Sequence, residues 1–453
     1  MKNLFLVSLS IVLFSCSNQS NNEVSQETDA WHKNATIYEV NLRQFTPEGT
    51  FNAFLPHIDR IHNMGIDILW FMPIHPIGDV NRKGGLGSYY SVRDYKGVNP
   101  EHGTASDFKA VIDKAHSLGM KVLIDWVANH SAFDNPWAEN KDWYTLDSLG
   151  NLQPPLGTDW WDVADLNYDN NDMRLAMIDA MQYWVEEFDI DGFRCDVASW
   201  VPNDFWKQAI DSLNLIKPMF MLAEAEDPSL HQAGFQMTYT WEYMHITNEI
   251  AQGKMTFKDL DNLMAKEDTN FSQDAYRLYF TTNHDENSWK GDVFERYGKT
   301  HLLQAILAFT IDGMPLLYSG QEAGLNKRLA FFEKDTIEWG DFAYADFYSS
   351  LLKLNKSHRA LWNGKYGGEF SKIEMDDSDL YCYKRVVGED KVMVFLNFSE
   401  SNKTINLNET HSQPLTELFS KEQVENLSKV ELGPLAYKAV SYTHLTLPTN
   451  REV

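Results

Sequence analysis

The sequence predicts an α/β fold: a (β/α)8 TIM barrel with a short subdomain inserted after its third strand and a C-terminal β-sandwich. From residue 35 onward, short apolar runs alternate with amphipathic helical patterns, which is typical of a parallel sheet flanked by helices. Eight such runs fit the number of strands that closes a barrel. After about residue 360 the pattern changes to closely spaced strand candidates.

The predicted barrel strands are short runs rich in β-branched, aromatic and aliphatic residues. They are Thr36–Phe45, Ile66–Pro73, Lys121–Val127, Gly192–Asp196, Met219–Glu224, Met237–Trp241, Leu278–Asn283 and Met314–Tyr318. Apolar residues at helical spacing lie between several of them, as in the stripe from Phe108 to Leu118. Thr104 and Asp107 predict a capping box at the start of that helix.

Composition predicts the domain boundaries. The barrel occupies residues 31–360, and within it residues 131–171, rich in Trp, Asp, Asn and Pro, are too long for an ordinary loop. We expect them to form the inserted subdomain. Residues 361–440 predict the sandwich, whereas residues 441–453 do not fit its pattern. We interpret this last segment as an artefactual or disordered tail.

The N-terminus predicts export. Lys2 precedes an apolar run from Leu4 to Phe14 that is too short to cross a bilayer. The run ends before Cys16 in a pattern that resembles a bacterial lipobox. We therefore expect residues 1–16 to be a signal peptide, residues 17–30 a flexible linker, and the chain a lipoprotein of a bacterial envelope, held by a lipid anchor to its membrane. Ordinary signal cleavage is the alternative, because Phe14 is larger than the usual residue.

Charge and cysteine usage narrow the function. The chain has 39 basic and 65 acidic residues and a formal net charge of −26. A nucleic-acid partner is disfavoured, because such binders need a positive surface, whereas a neutral polysaccharide suits an acidic protein. Cys16, Cys195 and Cys382 form no metal-binding pattern. Nothing in the sequence indicates an oligomeric state.

Carboxylates end the fourth and fifth predicted strands. Asp196 stands two residues after Arg194, and residues two apart in a strand face the same way. The guanidinium can therefore keep Asp196 ionised and oriented, as a nucleophile requires; a structural ion pair is the alternative. Glu224 and Glu226 follow the fifth strand, where apolar surroundings raise a carboxyl pKa to suit a general acid. Spacing alone does not choose between them.

The third and seventh strands also end in polar residues. Asp125 can orient Arg194, and His130 can bind substrate. His284 and Asp285 can hydrogen bond to sugar hydroxyls. Each group alone also fits a capped strand end. Together they fall on the C-terminal face of the barrel, where barrels of this type assemble their active sites.

These stretches, in this order, resemble the four signature regions of the α-amylase family, glycoside hydrolase family 13. They are Asp125–His130, Gly192–Asp196, Ala223-Glu224 and Asn283-His284-Asp285. The resemblance covers about residues 31–440 and implies a retaining hydrolase of α-glucosidic, mainly α-1,4, bonds in starch-like glucans or maltooligosaccharides. It implies that Asp196 is the nucleophile, Glu224 the acid/base and Asp285 the transition-state stabiliser. The substrate-binding residues it implies are Tyr90, Asp125, His130, Arg194 and His284.

The resemblance leaves specificity and metal binding open. Many α-amylases carry Lys-His three and four residues after the nucleophile, near a structural calcium, where this chain has Ser199-Trp200. Asn129 matches a common calcium ligand, but the insertion is short, so a calcium site at Asn129 is left open. No organic cofactor is implied. The alternatives are an exo-acting α-glucosidase, a neopullulanase or cyclomaltodextrinase, and a transglycosylase. A non-catalytic glucan-binding lipoprotein is disfavoured, because all three carboxylates are present.

Overall fold

The computed structural model describes residues 30–407, 415–424 and 427–441. Eight parallel strands close into a barrel, with strands that follow one another in the chain lying side by side, which confirms the predicted fold class. In chain order these first to eighth barrel strands are Ile37–Val40, Ile68–Phe71, Lys121–Trp126, Gly192–Cys195, Phe220–Ala223, Met237–Tyr239, Tyr276–Tyr279 and Met314–Tyr318. The predicted signal peptide and nearly all of the predicted linker lie outside the described residues.

Helices connect and surround the strands. They are Leu42–Phe45, Phe51–Phe54, Ile58–Met64, Ala105–Ser117, Asn171–Phe188, Asn203–Asn214, Ser229–Ala233, Trp241–Ala251, Phe257–Asn270, Val293–Tyr297, His301–Thr310 and Ala345–Ser357. The helix Ala105–Ser117 begins with the predicted capping box between Thr104 and Asp107. Within the described part of the chain, no helix combines the length and the apolar character needed to cross a membrane.

Side chains alternate between two cores along each barrel strand. Ile37 and Trp70 belong to the core inside the barrel. Their neighbours Tyr38 and Leu69 belong to the larger core between the strands and the surrounding helices. This period of two is the reason that polar residues at the strand ends can face inward as a group.

The first barrel strand is shorter than the sequence predicts. It ends at Val40, and Leu42–Phe45 is a short helix, so the prediction of a strand to Phe45 is wrong. The helix is fully buried, and carbonyl groups of distant loops accept hydrogen bonds from its polar side chains. Gln44 Nε2, for example, donates at 2.8 Å to the carbonyl oxygen of Ala330.

The insertion after the third strand is a small subdomain, as predicted. Its strands His130–Ala132 and Val163–Asp165 pair antiparallel, and 3-10 turns at Pro136–Glu139 and Lys141–Trp143 lie between them. Because the insertion follows a barrel strand directly, it stands on the C-terminal face of the barrel.

The C-terminal region consists of two sheets. The larger sheet has six strands, in the spatial order Glu369–Ile373, Leu380–Val387, Asp390–Asn397, Tyr437–Ser441, Leu415–Glu417 and Gln423–Val424. The smaller sheet pairs Lys403–Asn406 with Lys429–Leu432. Cys382 shares a core with Ile405 and Val430 of the smaller sheet. Its neighbours Tyr381 and Tyr383 belong to the larger core between the barrel strands and the surrounding helices.

The sandwich extends one residue further than predicted. Ser441 pairs with Val392 in the larger sheet, so the predicted boundary that assigned residue 441 to the tail is wrong. Hydrogen bonding to a central strand of the sheet keeps Ser441 in place. The rest of the predicted tail, residues 442–453, lies outside the described residues.

Candidate active site

The three predicted catalytic carboxylates meet in one cavity at the C-terminal ends of the barrel strands. The cavity has a volume of about 770 Å³, and Asp196, Glu224 and Asp285 line it together with Tyr90 and His130. A second cavity, of about 700 Å³, lies between the helix Phe257–Asn270 and the first sandwich strand, and none of the predicted site residues lines it.

Arg194 connects the carboxylates from below. Its side chain is fully buried, and its Nη1 lies 2.9 Å from Asp125 Oδ1 and 3.1 Å from Asp196 Oδ1. Its Nη2 is in ion-pair contact with Glu224 Oε1 at 2.9 Å. One guanidinium therefore fixes both carboxylates that the sequence assigns to bond cleavage. Its planar shape and several donors make this arrangement possible.

Asp125 lies behind the cavity and positions Arg194. Its other oxygen, Oδ2, accepts hydrogen bonds from Tyr90 at 3.1 Å and from the Trp70 indole at 3.3 Å. Burial raises the pKa of Asp125 to about 6, although Arg194 counteracts this effect. The predicted substrate-binding residues thus form two groups: Tyr90 and His130 line the cavity, whereas Asp125, Arg194 and His284 are buried beside it.

Asp196 and Glu224 form an electrostatically coupled pair. Burial and the neighbouring Glu224 carboxylate raise the pKa of Asp196 well above its usual range, and they outweigh the opposing effect of Arg194. Arg194 acts in the predicted direction, but it does not offset burial and Glu224, so the prediction that this guanidinium keeps Asp196 ionised is not met in the free site. Burial and the nearby negative charge of Glu224 therefore favour the protonated form of Asp196 in the free site.

The structure distinguishes Glu224 from Glu226. Glu224 lines the cavity, and its Oε2 accepts a 2.8 Å hydrogen bond from the backbone N–H of Val197, the residue after Asp196. Glu226 instead accepts from the backbone N–H of Glu242, at 3.0 Å, in the first turn of the helix Trp241–Ala251. It therefore stabilises a helix N-terminus and does not reach the cavity.

His284 is charged by its neighbours. Its Nδ1 lies 2.5 Å from Glu39 Oε1, and its Nε2 lies 2.6 Å from the Tyr90 hydroxyl and 3.4 Å from Asp285 Oδ2. Burial alone lowers the pKa of His284, but the carboxylates of Asp285 and Glu39 outweigh it and raise the pKa to about 9. His284 is therefore a cation at neutral pH. Sequence analysis missed Glu39, the one charged residue in an apolar strand.

His130 and Asn129 sit at the start of the inserted subdomain. Burial lowers the pKa of His130 to about 3, so the ring is neutral. Asn129 Nδ2 lies 3.2 Å from His130 Nδ1, and the Asn129 carbonyl accepts from Leu166 N–H at 3.1 Å. In the described ranges, no group of three or more His, Cys, Asp or Glu side chains is arranged to hold a metal ion. Calcium at Asn129 therefore stays a prediction.

Sequence analysis also missed most of the aromatic lining of the cavity. Those residues are Trp160, Trp161, Trp289, Phe331 and Phe332. The sequence does contain a pattern that could have indicated this lining: Trp160-Trp161 and Phe331-Phe332 are adjacent aromatic pairs outside any strand or helix. Large aromatic side chains in loops, rather than in elements with a core face, are candidates for ligand contact.

Comparison with known proteins identifies the family. A family model described as the alpha-amylase catalytic domain matches residues 14–375. The chain belongs to the alpha-amylase family. The resemblance seen in four short stretches thus extends over the whole barrel, and this family member is a glycoside hydrolase.

Its relatives include curated proteins and solved structures. This chain is 28% identical over 404 residues to Alpha-amylase MalA of Haloarcula japonica. The match spans 84% of this chain and 58% of that protein's length. The structure of an alpha-amylase from Lactobacillus plantarum has a TM-score of 0.82 at 28% identity, covering 91% of this chain and 100% of the other. A maltogenic alpha-amylase from Thermotoga neapolitana has a TM-score of 0.81 at 30% identity, covering 91% and 99%.

Proposed function

We propose that this protein hydrolyses α-glucosidic bonds, mainly α-1,4, in starch-like glucans or maltooligosaccharides, with retention of configuration. One observation carries the proposal: Asp196 and Glu224 contact opposite nitrogens of the same buried guanidinium and line one cavity with Asp285. Two carboxylates held this close suit a double displacement better than an inverting reaction, in which a water molecule must fit between them.

The first half of the reaction breaks the glycosidic bond. With a proton on Glu224 and Asp196 ionised beside Arg194, Glu224 protonates the glycosidic oxygen as Asp196 attacks the anomeric carbon. The bond to the leaving sugar breaks, and an ester to Asp196 forms.

The second half releases the product. Glu224, now a carboxylate, takes a proton from water as the water oxygen attacks the anomeric carbon. The ester bond breaks, the Asp196 carboxylate is restored, and the product keeps the α configuration. Asp285 and the His284 cation lie 3.4 Å apart beside this centre. The Asp285 carboxylate can accept hydrogen bonds from sugar hydroxyls, while the His284 ring can donate a hydrogen bond from Nε2.

The anomeric form of the first product tests this proposal. Proton NMR on maltopentaose should show the α-anomer appearing first and mutarotating later, because two displacements at one carbon restore its configuration. A first product in the β form would contradict the proposal. So would binding of maltooligosaccharide without release of reducing sugar, which would instead support the non-catalytic alternative.

The mode of attack on the glucan is a second question. The Thermotoga neapolitana relative, 30% identical, is named as maltogenic, which favours an exo-acting or cyclodextrin-opening variant as the second candidate. Products from starch, maltotriose and cyclodextrin separate these modes. A rapid fall in starch viscosity is expected for an endo-acting enzyme, whereas maltose release at constant viscosity would favour the maltogenic candidate.

We also propose that the protein is exported and lipid-anchored at Cys16, which follows the apolar run from Leu4 to Phe14. Radiolabelled palmitate should label the wild type and the Cys382→Ala control, and it should not label Cys16→Ala. Label retained in Cys16→Ala, or wild-type protein found in the soluble fraction, would contradict the anchor.

Calcium at Asn129 is tested by thermal unfolding. If Asn129 is a ligand, Tm should rise when excess CaCl2 replaces EDTA, because an ion that binds only the folded state stabilises it. Asn129→Ala should abolish that rise. Equal Tm values in EDTA and in calcium for the wild type would contradict the site.

A further inference from the structure

Two tryptophans stack on each other at the edge of the active-site cavity. Trp160 lines the cavity, and its ring stacks on Trp200 with centroids 5.3 Å apart and planes 22° apart. Its ring centroid also lies 5.4 Å from that of His130. Trp200 itself remains 50% exposed. The pair therefore extends the cavity wall outward to solvent.

The backbone holds Trp200 in this exposed position. Trp200 ends the 3-10 turn Ala198–Trp200, which begins two residues after Asp196. The Ala198 carbonyl accepts a 2.9 Å hydrogen bond from the indole of the fully buried Trp206. Core packing does not explain a large apolar ring that is anchored and half exposed, but a ligand with an apolar face does. Pyranose rings present such a face to aromatic side chains.

The position of the stack relative to Glu224 identifies which sugar it would contact. The N–H of Val197, at the start of the same turn, donates to Glu224 at 2.8 Å. Under the proposed function, Glu224 protonates the oxygen of the departing sugar, so that sugar lies on the Glu224 side of the cavity. Trp289, which also lines the cavity, is not part of this stack. It follows Asp285 closely in the chain, and its ring centroid lies 5.1 Å from that of Phe331.

We propose that the Trp160–Trp200 stack binds the first glucose unit on the departing side of the scissile bond, and that it sets a preference for substrates with sugars there. This inference rests on the proposed hydrolytic function. Trp200 is a specificity-determining residue and takes no part in bond breaking.

Two substrates that differ on the departing side test the inference. Maltopentaose places sugars on that side, whereas α-maltosyl fluoride loses only fluoride and leaves the stack without a ligand. Trp200→Ala should lower kcat/KM for maltopentaose about tenfold, the upper range for one aromatic stacking contact. The rate of fluoride release from maltosyl fluoride should change less than about twofold by the same reasoning.

Two further variants serve as controls. Trp200→Phe keeps an aromatic face and should recover most of the activity on maltopentaose. Leu215→Ala removes an 89% exposed side chain that does not line the cavity, and it should leave both substrates unaffected. Equal losses on both substrates for Trp200→Ala, or no loss on either, would overturn the inference. A wild type inactive on both substrates would instead overturn the proposed function.

Discussion

The two inner layers of the same barrel strands have opposite chemistry. Ile37, Leu123 and Leu222 fill the lower layer with apolar side chains. Two positions further along the same strands, the inward-facing residues are Glu39, Asp125 and Glu224. Residues two apart in a strand share a face. The apolar lower layer, which stabilises the barrel, therefore lies only two residues away from the polar upper layer at the active site.

The upper layer has a cost in stability that the lower layer does not have. Arg194, Asp125 and Glu39 are charged or titratable groups with at most traces of solvent exposure, and burying such groups is unfavourable even when they are paired. Among the described residues, Glu39 Oε2 and Asn283 Nδ2 also lack a hydrogen-bond partner. The rim therefore presents polar groups that a substrate can contact, whereas apolar burial below it keeps the barrel closed.

The largest expected effect comes from removing a carboxylate of the upper layer. Asp196→Asn and Glu224→Gln should each lower kcat on maltopentaose by at least about 10⁴-fold, as for other residues that act together in covalent catalysis. Binding of maltooligosaccharide, measured by calorimetry, should persist. Glu226→Gln is the matched control, and a loss equal to that of Glu224→Gln would contradict the assignment of the acid.

A smaller loss is expected from a change in the guanidinium. Arg194→Lys keeps the charge, but a single ammonium cannot contact Asp125, Asp196 and Glu224 together. Turnover should fall roughly 10²–10³-fold, the range for loss of a preorganised donor. Arg385→Lys changes another fully buried arginine, paired with Asp312, away from the cavity. Arg385→Lys should reduce Tm while turnover per folded molecule stays normal. A loss of turnover comparable to that of Arg194→Lys would contradict the specific role of Arg194 in the upper layer.

The contact between Glu39 and His284 predicts a pH effect. The pKa of His284 is raised from 6.5 to about 9, so its charged form contributes stability that is fully present below pH 6.5 and is lost as pH rises toward 9. Glu39→Gln removes one anion and should lower this pKa. The free energy of unfolding in urea, measured at several pH values, should then depend less steeply on pH between 6.5 and 9. The alkaline limb of the pH–activity profile should move to lower pH. An unchanged profile would contradict the pairing.

The smallest effect on turnover is expected in the lower layer. Leu222→Ala, two residues before Glu224, should destabilise the protein by about 2–5 kcal/mol because it leaves a cavity in the barrel core. Turnover per folded molecule should stay near normal at temperatures well below Tm. Denaturant unfolding and active-site titration measure the two quantities, and a large loss of turnover with unchanged stability would contradict the separation of layers.

Local patterns in the sequence were enough to predict the barrel, the insertion and the three carboxylates that meet in the cavity. Each pattern depends on neighbours in the chain. The periodicity of a strand indicates which of its residues face inward, and the parallel order of the strands indicates that their C-terminal ends meet on one face of the barrel. Spacing alone did not choose between Glu224 and Glu226; the resemblance to the family favoured Glu224, which lines the cavity in the structure. The strand ends at Ala223, so strand periodicity does not extend as far as Glu226, whose carboxylate instead accepts a hydrogen bond from the backbone N–H of Glu242.

Features that depend on distant contacts could not be predicted. Glu39 lies 245 positions from His284, and nothing near either residue indicates the pair. Gly192 is another case: a Cβ atom there would lie 1.9 Å from the Phe220 carbonyl oxygen of the neighbouring strand. The elevated pKa of Asp196 likewise comes from burial and from Glu224, which the adjacent Arg194 in the sequence does not reveal.

The central claim is that Asp196 and Glu224 act on one anomeric carbon from a shared cavity. Trapping the glycosyl-enzyme tests it most directly: the protein is incubated with 5-fluoro-α-glucosyl fluoride and digested, and its peptides are analysed by mass spectrometry. One added fluoroglucosyl group is expected on Asp196, and none in Asp196→Asn. A label on any other residue, or active wild type that turns over glucans without ever carrying a label, would contradict it.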